Sequence, residues 1–380
     1  MEVYADYAAT TPVKQEVVDK MMDIYAVHYG NPSSIHSVGR NARKHLDDSR
    51  RSVKQALGAK QNEIIFTSGA TESNNTAIKG IAYAQRYKGN HIITTKIEHH
   101  SVLHVFEQLE KEDFDVTYLD VDHQGLVQLD QLKEAITEQT ILVSIMFVNN
   151  EVGTVQPMYE IDSIVAESNA LLHVDAVQAI GHLDINFHDF NIDAMSITAH
   201  KFGGPKGVGA LVVKEGTPLQ FLQLGGEQEA KRRAGTENLP QIVGFAEALK
   251  LATEHLNENN IHLMNLKNQF LVSLQERSIP FELNGSMTES TGHIVNLYFP
   301  FIDVETILTL LDLANIYVSS GSACTAGTTT PSHVLVAMYE HDDRAKHSVR
   351  FSFNEQTTEQ EVKYIATEIH KIYHKFKEDI

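Results

Sequence analysis

The chain has 380 residues, of which 42% are hydrophobic and 21% charged, as is usual for a globular protein with a substantial core. Acidic side chains exceed basic ones, 50 against 31, and because the resulting net charge of −19 repels phosphate backbones we expect no direct nucleic-acid binding. The sequence shows no signal-peptide pattern and no apolar run near the ~18 residues of a membrane span, so we expect a cytoplasmic protein without membrane spans. Because it has a single cysteine, we expect no disulfide within the chain.

Helices and strands are predicted to alternate along the first half of the chain. Apolar residues at helical spacing predict helices over 33–57, from the turn at 68–73 to 87, and over 101–111, 129–137 and 161–168. Short apolar and β-branched runs predict strands over 63–67, 91–95, 116–121, 141–148 and 171–174. Because these strands are apolar throughout rather than alternating, they predict an α/β fold with a mainly parallel sheet covered on both faces.

The second half of the chain predicts a different arrangement. One long helical pattern over 240–268 could bridge to a second domain, which would contain strands at 280–283, 294–298 and 348–353 and helices at 304–313 and 359–376. We therefore expect a large domain over 16–258. A smaller α+β domain would combine 1–15 with 259–380.

Polar side chains follow several of the predicted strands directly. These residues are Thr71, His99, Asn150, Asp175 and the pair His200–Lys201. Ligands of parallel α/β sheets bind in the crevice beyond the carboxyl ends of the strands. The recurrence of such residues at one edge predicts a binding site there.

Lys201 stands between a strand and a Gly/Pro turn, where partial desolvation can lower the pKa of an amine that forms a Schiff base. An ordinary loop lysine is the alternative interpretation, and Lys206 is the nearby rival on a turn. Asp175 ends a buried strand and could pair with a protonated pyridine nitrogen, or simply cap the next helix. Thr71, with the backbone amides of 69–72, could hold a phosphate.

Two further segments allow more than one interpretation. His99 is placed to stack on a planar cofactor or move protons near it, although a hydrogen-bonded core histidine would look the same. His100 and His104 are four residues apart and could share a metal, but no third ligand has a supporting spacing, so no metal is predicted. Cys324, the only cysteine, lies among small residues at 319–327 and is either a reactive thiol or a chance surface one.

Several segments together resemble the cysteine desulfurases, which belong to the class V aminotransferase group of pyridoxal-phosphate enzymes. In order they read YADYAATT (4–11), TSGATESN (67–74), VNNEVG (148–153), HVDAVQ (173–178), SITAHKFGGPKG (196–207), RAGTEN (233–238) and SVRFS (348–352). The similarity covers nearly the whole chain. SGSACT (320–325) resembles the long mobile loop of the housekeeping and nitrogenase-associated desulfurases rather than the short cysteine segment of the other desulfurase group.

The resemblance implies a fold of pyridoxal-phosphate type I with a seven-stranded sheet, and a role for each matching residue. Lys201 would carry pyridoxal 5'-phosphate on its amine, Asp175 would pair with the pyridine nitrogen, Gln178 would contact the ring oxygen, and His99 would stack on the ring and assist proton transfer. The phosphate would be held by Ala70, Thr71, Thr198, His200 and, from the neighbouring subunit, Thr236. Asn150, beside the cofactor, and Arg350 would bind the substrate carboxylate.

The implied activity converts L-cysteine to L-alanine, with the sulfur held as a persulfide on Cys324. That sulfur would pass to an iron–sulfur scaffold or a tRNA-thiolating enzyme, Cys324 could transiently ligate an iron–sulfur cluster, and the protein would be a homodimer. A related transaminase or selenocysteine lyase would keep Lys201 and Asp175 without needing a mobile cysteine. A scaffold protein for iron–sulfur assembly would have no cofactor chromophore. A nicotinamide oxidoreductase is set aside because its Gly-x-Gly fingerprint is missing after the first strand.

Overall fold

A computed structural model describes residues 1–321, 331–340 and 343–377. The α-helices, in chain order, are α1 (Gln15–Val27), α2 (Ser37–Leu57), α3 (Ala70–Gln85), α4 (His100–Glu110), α5 (Leu129–Ala135), α6 (Met158–Ala166), α7 (Gln228–Lys231), α8 (Leu239–Glu254), α9 (Leu256–Glu276), α10 (Val304–Leu313), α11 (His333–Tyr339), α12 (Asp343–Lys346) and α13 (Glu359–Phe376). The strands are β1 (Val3–Tyr4), β2 (Ile64–Thr67), β3 (His91–Thr95), β4 (Asp115–Leu119), β5 (Thr140–Met146), β6 (Leu171–Asp175), β7 (Ala194–Thr198), β8 (Gly209–Val213), β9 (Glu282–Asn284), β10 (Ile294–Tyr298), β11 (Ile316–Tyr317) and β12 (Ser348–Ser352).

The large sheet has seven strands in the order β2-β8-β7-β6-β5-β3-β4. Neighbours from β7 to β4 are parallel, whereas β8 runs antiparallel to both β7 and β2. Every residue of β5, β7 and β8 is buried, as expected for strands covered by helices on both faces. The predicted mainly parallel α/β sheet is therefore confirmed.

The direction of β8 determines which strands have their carboxyl ends at the same edge of the sheet. Because β8 is antiparallel to both of its neighbours, β2 runs in the same direction as β7, although the two strands never touch. The carboxyl ends of β2, β3, β5, β6 and β7 consequently open at one edge of the sheet. The segments that follow these strands contain the residues singled out in the sequence.

A second apolar cluster forms around a three-stranded antiparallel sheet, β12-β10-β9. Its members come from residues 3–5 and 263–372, and helices α9 and α13 pack together over it. The short parallel pair β1-β11 and a bridge between Ser319 and Arg350 join the N-terminal segment to this region. The domain boundaries at 15/16 and 258/259 stay a prediction.

The prediction of one long helix over 240–268 is wrong. The chain forms α8 and α9, which are separated at His255, where φ is −112° and ψ is 17°. Both pieces are apolar at helical spacing, so the periodicity runs through a break that only the backbone angles show. Sequence reasoning also missed α1 and β8; α1 buries only Val17 and Ile24, although several of its other residues are apolar as well.

Lys267 is a buried lysine of α9 whose Nζ donates to the Ser290 hydroxyl at 2.7 Å. Burial lowers its pKa from 10.5 to about 8. Between those two pH values the unfolded chain binds more protons than the folded one, so the folded state becomes more stable as the pH rises through this window.

We expect Lys267→Met to raise the free energy of unfolding at pH 7 by about 1–3 kcal/mol, since it removes a buried amine that is mostly protonated there. It should also abolish the gain in stability between pH 8 and 10.5. Urea titrations across this range test both effects. Lys44→Met, at an exposed position of α2, is the matched control and should keep the gain; the same pH profile for both variants would contradict the assignment.

Candidate active site

A cavity of about 660 Å³ opens at the edge where the strand ends meet. Most of the predicted site residues line it, namely Ala70, Thr71, His99, Asn150, Asp175, Gln178, Thr198, His200, Lys201 and Arg350. Thr236 does not; it lies by a smaller neighbouring pocket formed with Arg233 and Gly235. Cys324 lies outside the described residues.

The side chain of Lys201 is held at one wall of this cavity. It follows β7 in a short turn of 3₁₀ helix, and its Nζ donates to the backbone carbonyls of Ala8 at 2.5 Å and Ala9 at 2.9 Å. Lys206 also lines the cavity but is exposed. The N-terminal segment thus fixes the amine nitrogen, a role that no local pattern in residues 4–9 indicated.

Asp175, at the carboxyl end of β6, is buried and accepts two hydrogen bonds. The Asn74 side-chain amide donates to Oδ2 at 2.8 Å, and the Val177 backbone N–H donates to Oδ1 at 3.0 Å. The second bond is an Asx-turn contact, and because a turn rather than a helix follows β6, the expectation that Asp175 caps the next helix is wrong. Its pairing with a pyridine nitrogen stays a prediction. Sequence reasoning missed Asn74, although it stands inside the TSGATESN segment.

His99 is the N-cap residue directly before α4, and its two ring nitrogens have different roles. The Ser101 backbone N–H donates to Nδ1 at 3.1 Å, so Nδ1 is an acceptor and the neutral ring carries its proton on Nε2. Burial lowers the pKa of His99, and nearby Lys201 adds to the decrease, although Asp175 acts in the opposite direction. His99 therefore presents an uncharged imidazole to the cavity.

The start of α3 offers backbone donors for an anion. Within the described part of the chain no side chain caps this helix at Gly69, whose φ of 152° is in the region that favours glycine. A Cβ on Gly209 of β8 would lie 2.8 Å from the Gly69 Cα, so a glycine is needed there too for the close approach. Uncapped N–H groups of a 16-residue helix, beside Thr71 and Thr198, fit a phosphate group.

Gln178 is oriented by both of its amide atoms. Nε2 donates to the Ala8 carbonyl at 3.0 Å, and Oε1 accepts from the Nε2–H of His293 at 3.2 Å. His293 is buried and stacks on His182, with ring centroids 3.6 Å apart and planes 2° apart. Burial holds the pKa of His293 well below 6.5, so this ring is neutral. The sequence did not indicate a role for His293.

Arg350 enters the cavity from strand β12 of the smaller sheet. Its Nη2 donates to Asp6 Oδ1 at 2.8 Å, and Nη1 donates to the backbone carbonyls of Asn150 at 2.9 Å and Gly321 at 3.3 Å. The Nε atom is buried without a partner within the described part of the chain. A planar cation with an unused donor, lining a cavity, suits a carboxylate ligand.

The three histidines next to this site do not form a metal centre in the described ranges. The His100 ring lies 5.0 Å from that of His104 and 4.7 Å from that of His333, measured between centroids. No group of three or more metal-binding side chains occurs within residues 1–321, 331–340 and 343–377. His333 instead hydrogen-bonds the Glu98 carbonyl through Nε2 at 2.9 Å.

We expect the His99 ring to stay neutral, with its proton on Nε2, at pH values near and somewhat below 6.5, because burial opposes its protonation. Nitrogen-15 NMR of the ring measures this directly, with His99→Gln used for assignment. A titration midpoint at or above 6.5 would show that Asp175 outweighs burial and would contradict the prediction.

Comparisons with known proteins show the family of this chain. The sequence profile described as Aminotransferase class-V matches residues 3–365. A Bacillus subtilis relative named "Putative cysteine desulfurase IscS 1" is 50% identical over 368 residues, covering 97% of each chain. A relative from Methanosarcina thermophila named "Cysteine desulfurase IscS" is 46% identical, covering 99% of this chain and 93% of its own.

Solved structures show the same fold. A structure titled "NIFS-LIKE PROTEIN" superposes with a TM-score of 0.93 at 38% identity, covering 98% of this chain and 100% of its own. Another, "SspA in complex with cysteine", has a TM-score of 0.82 at 36% identity and covers 94% of this chain and 100% of its own. The chain therefore belongs to the class-V aminotransferase family and, within it, to the cysteine desulfurases.

Proposed function

We propose that this chain removes sulfur from L-cysteine with pyridoxal 5'-phosphate bound at Lys201, and that Cys324 receives the sulfur. The observation that carries the proposal is the convergence of Lys201, Asp175, His99 and Arg350 on one cavity in a chain with a single thiol. This combination supplies an amine, an acceptor for a ring nitrogen, a neutral imidazole and a carboxylate-binding cation. Each group has a distinct task in the reaction.

The cysteine desulfurases depend on pyridoxal phosphate, and the residues of this cavity fit that group. Lys201 would bind its carbonyl carbon and Asp175 its pyridine nitrogen, while Gln178 would contact its ring oxygen and His99 would stack on its face. The phosphate would lie at the uncapped start of α3. The phosphate-holding residues would be Ala70, Thr71, Thr198 and His200. When bound, the cofactor withdraws electrons from the α-carbon of the substrate.

The substrate would be held by its carboxylate. The fork of Arg350 can take that group bidentately after giving up one of its backbone contacts, and the side chain of Asn150 lines the cavity beside it. A structure titled as a complex with cysteine, at 36% identity, supports the choice of this amino acid.

Proton movements would be divided between two residues. Lys201 Nζ would accept the proton from the substrate α-carbon, and the Nε2–H of His99 would assist proton transfer. The thiolate of Cys324 would then attack that sulfur, so that the substrate's Cβ–S bond breaks and a new S–S bond forms.

The balance needs no outside oxidant. L-cysteine and the Cys324 thiol yield L-alanine and a Cys324 persulfide. The substrate's Cβ is reduced, because it keeps the electron pair of the Cβ–S bond and gains a proton. The two sulfur atoms that form the S–S bond are oxidised by the same two electrons. A transaminase or selenocysteine lyase, the second candidate from sequence, would use the same lysine without this transfer. An iron–sulfur scaffold would show neither chemistry.

We expect Lys201→Ala to lose both the cofactor absorbance and alanine formation, since the amine that binds the cofactor is gone. Cys324→Ser should keep the absorbance but form alanine at least ~10²-fold more slowly. Lys206→Ala, the neighbouring lysine, should keep the absorbance. Alanine formation by Cys324→Ser at the wild-type rate would instead indicate one of the lyase or transaminase alternatives.

We infer that a partner protein, either an iron–sulfur scaffold or a tRNA-thiolating enzyme, takes the sulfur from Cys324. The net charge of −19 disfavours direct contact with tRNA.

None of the helices in the described ranges has the length and apolar character to cross a membrane. A cytoplasmic location is part of this proposal.

We propose a homodimer in which Thr236 reaches the phosphate of the other subunit's cofactor. Thr236 lies outside its own chain's cavity. Two hydrogen bonds join Gln223 to Ala234, which lies two residues before Thr236. The residue after Gln223, Leu224, is 86% exposed to solvent. An exposed leucine in a segment bonded to the one that contains Thr236, a residue that does not line its own subunit's cavity, supports a subunit interface here.

Mixing two defective variants tests this arrangement. A mixed dimer of Lys201→Ala and Thr236→Ala subunits would contain one fully intact site, so random exchange should restore about a quarter of the wild-type number of sites. Thr236→Ala alone should bind the cofactor more weakly. If each subunit used its own Thr236, mixing would restore nothing beyond the sum of the separate activities.

A further inference from the structure

The carboxyl group of Glu151 lies between the two ends of the segment that carries Cys324. The Ser332 hydroxyl donates to Oε2 of Glu151, and a Cβ on Gly321 would lie only 2.5 Å from the same oxygen. Gly321 stands directly before residues 322–330 and Ser332 just after them. One buried oxygen thus bonds Ser332 on one side of the cysteine segment and lies close to Gly321 on the other.

The hydrogen bond from Ser332 has a defined direction. Ser332 caps α11, because its Oγ accepts the Leu335 backbone N–H at 3.1 Å. Its own proton is therefore available to Glu151. The glutamate consequently fixes the residue at which α11 begins, and with it the end of the cysteine segment.

Glu151 itself is firmly mounted. Its side chain is buried, its backbone N–H donates to Asn149 Oδ1 at 2.8 Å, and its carbonyl accepts from Asn296 Nδ2 at 3.1 Å. Asn296 belongs to β10 in the centre of the small sheet. The carboxyl group therefore has little freedom to follow a moving neighbour.

The other contacts of Gly321 lead to the proposed substrate site. Its carbonyl accepts from Arg350 Nη1 at 3.3 Å, and the same nitrogen donates to the carbonyl of Asn150, the residue before Glu151. Gly321 has φ of 98°, which side-chain-bearing residues rarely adopt. The start of the cysteine segment and the carboxylate-binding arginine are thus held by adjacent residues of one turn.

We infer that Glu151 is a positioning residue for sulfur transfer: its carboxyl group fixes both ends of the Cys324 segment relative to Arg350. The inference rests on the proposed function, because it concerns the approach of Cys324 to the substrate sulfur. Nothing in the chemistry assigned to Lys201, Asp175 or His99 uses Glu151. Its contribution is to the encounter between thiol and substrate, not to cofactor or substrate binding.

Single-turnover experiments on the holoenzyme test this role, with the mass gain of one sulfur on Cys324 as readout. We expect Glu151→Ala to slow persulfide formation at least ~tenfold, while the spectral change on adding L-cysteine keeps its concentration dependence. Glu151→Gln should stay within about threefold of wild type, because its amide oxygen can still accept from Ser332. Ser332→Ala should slow the step as well, and the double variant should be no slower than Glu151→Ala alone.

A second readout needs no turnover. The chain has one cysteine, so iodoacetamide alkylation without substrate reports on Cys324 alone. We expect Glu151→Ala and Ser332→Ala to raise the alkylation rate at least about threefold, since the ends of the segment lose a shared anchor. If Glu151→Ala does not fold, Ser332→Ala removes the same hydrogen bond from the other side and provides the same test.

Matched controls separate positioning from stability. Glu63→Ala also removes a fully buried carboxyl group, which accepts from Lys60 and His188, and Thr358→Ala removes a helix cap at α13; both should leave persulfide formation and alkylation unchanged. Wild-type rates in Glu151→Ala, or equal losses in Glu63→Ala, would overturn the inference. A wild-type protein that forms neither alanine nor persulfide would instead refute the proposed function, and the inference with it.

Discussion

The site depends on one constraint of the large sheet: six of its seven strands run in the same direction, so their carboxyl ends open at a single edge. Antiparallel β8 preserves this alignment, because it reverses direction between β7 and β2 and leaves those two strands parallel. Each of these strand ends can then supply a polar residue to the crevice beyond the sheet. Asp175, at the end of β6, is flanked by partners on both sides, since it pairs with Met146 and Ser196.

The sheet edge alone leaves the cavity open, and two distant segments complete it. The N-terminal residues Ala8 and Ala9 supply carbonyls to Lys201, and the small sheet supplies Arg350. Arg350 in turn bonds Asp6, so the two segments are also joined to each other. A shift of the small sheet would therefore disturb the amine and the carboxylate-binding cation together.

Burial keeps the histidines around this edge uncharged. It lowers the pKa of His173 to about 3 and that of His200 to about 4, and it depresses the pKa of His99 and His293 as well. The same low-dielectric surroundings act in the opposite direction on acids, raising the pKa of Glu98 to about 8 and that of Glu151 above its usual range. The buried histidines around this edge thus act as uncharged hydrogen-bonding groups.

The sequence by itself determined the elements whose pattern is local. Apolar runs predicted β3 and β10 at their observed bounds, polar residues after strands indicated the binding edge, and the ordered motifs identified the family. It did not predict the break at His255, because apolar spacing continues through it. Tertiary structure decided the partners: Asn74 meets Asp175 across 101 positions, and Lys201 meets Ala8 across 193. Such pairs leave no periodic signal, since only the folded chain brings their atoms within hydrogen-bonding distance, and the contacts of Glu151 with Gly321 and Ser332 were hidden for the same reason.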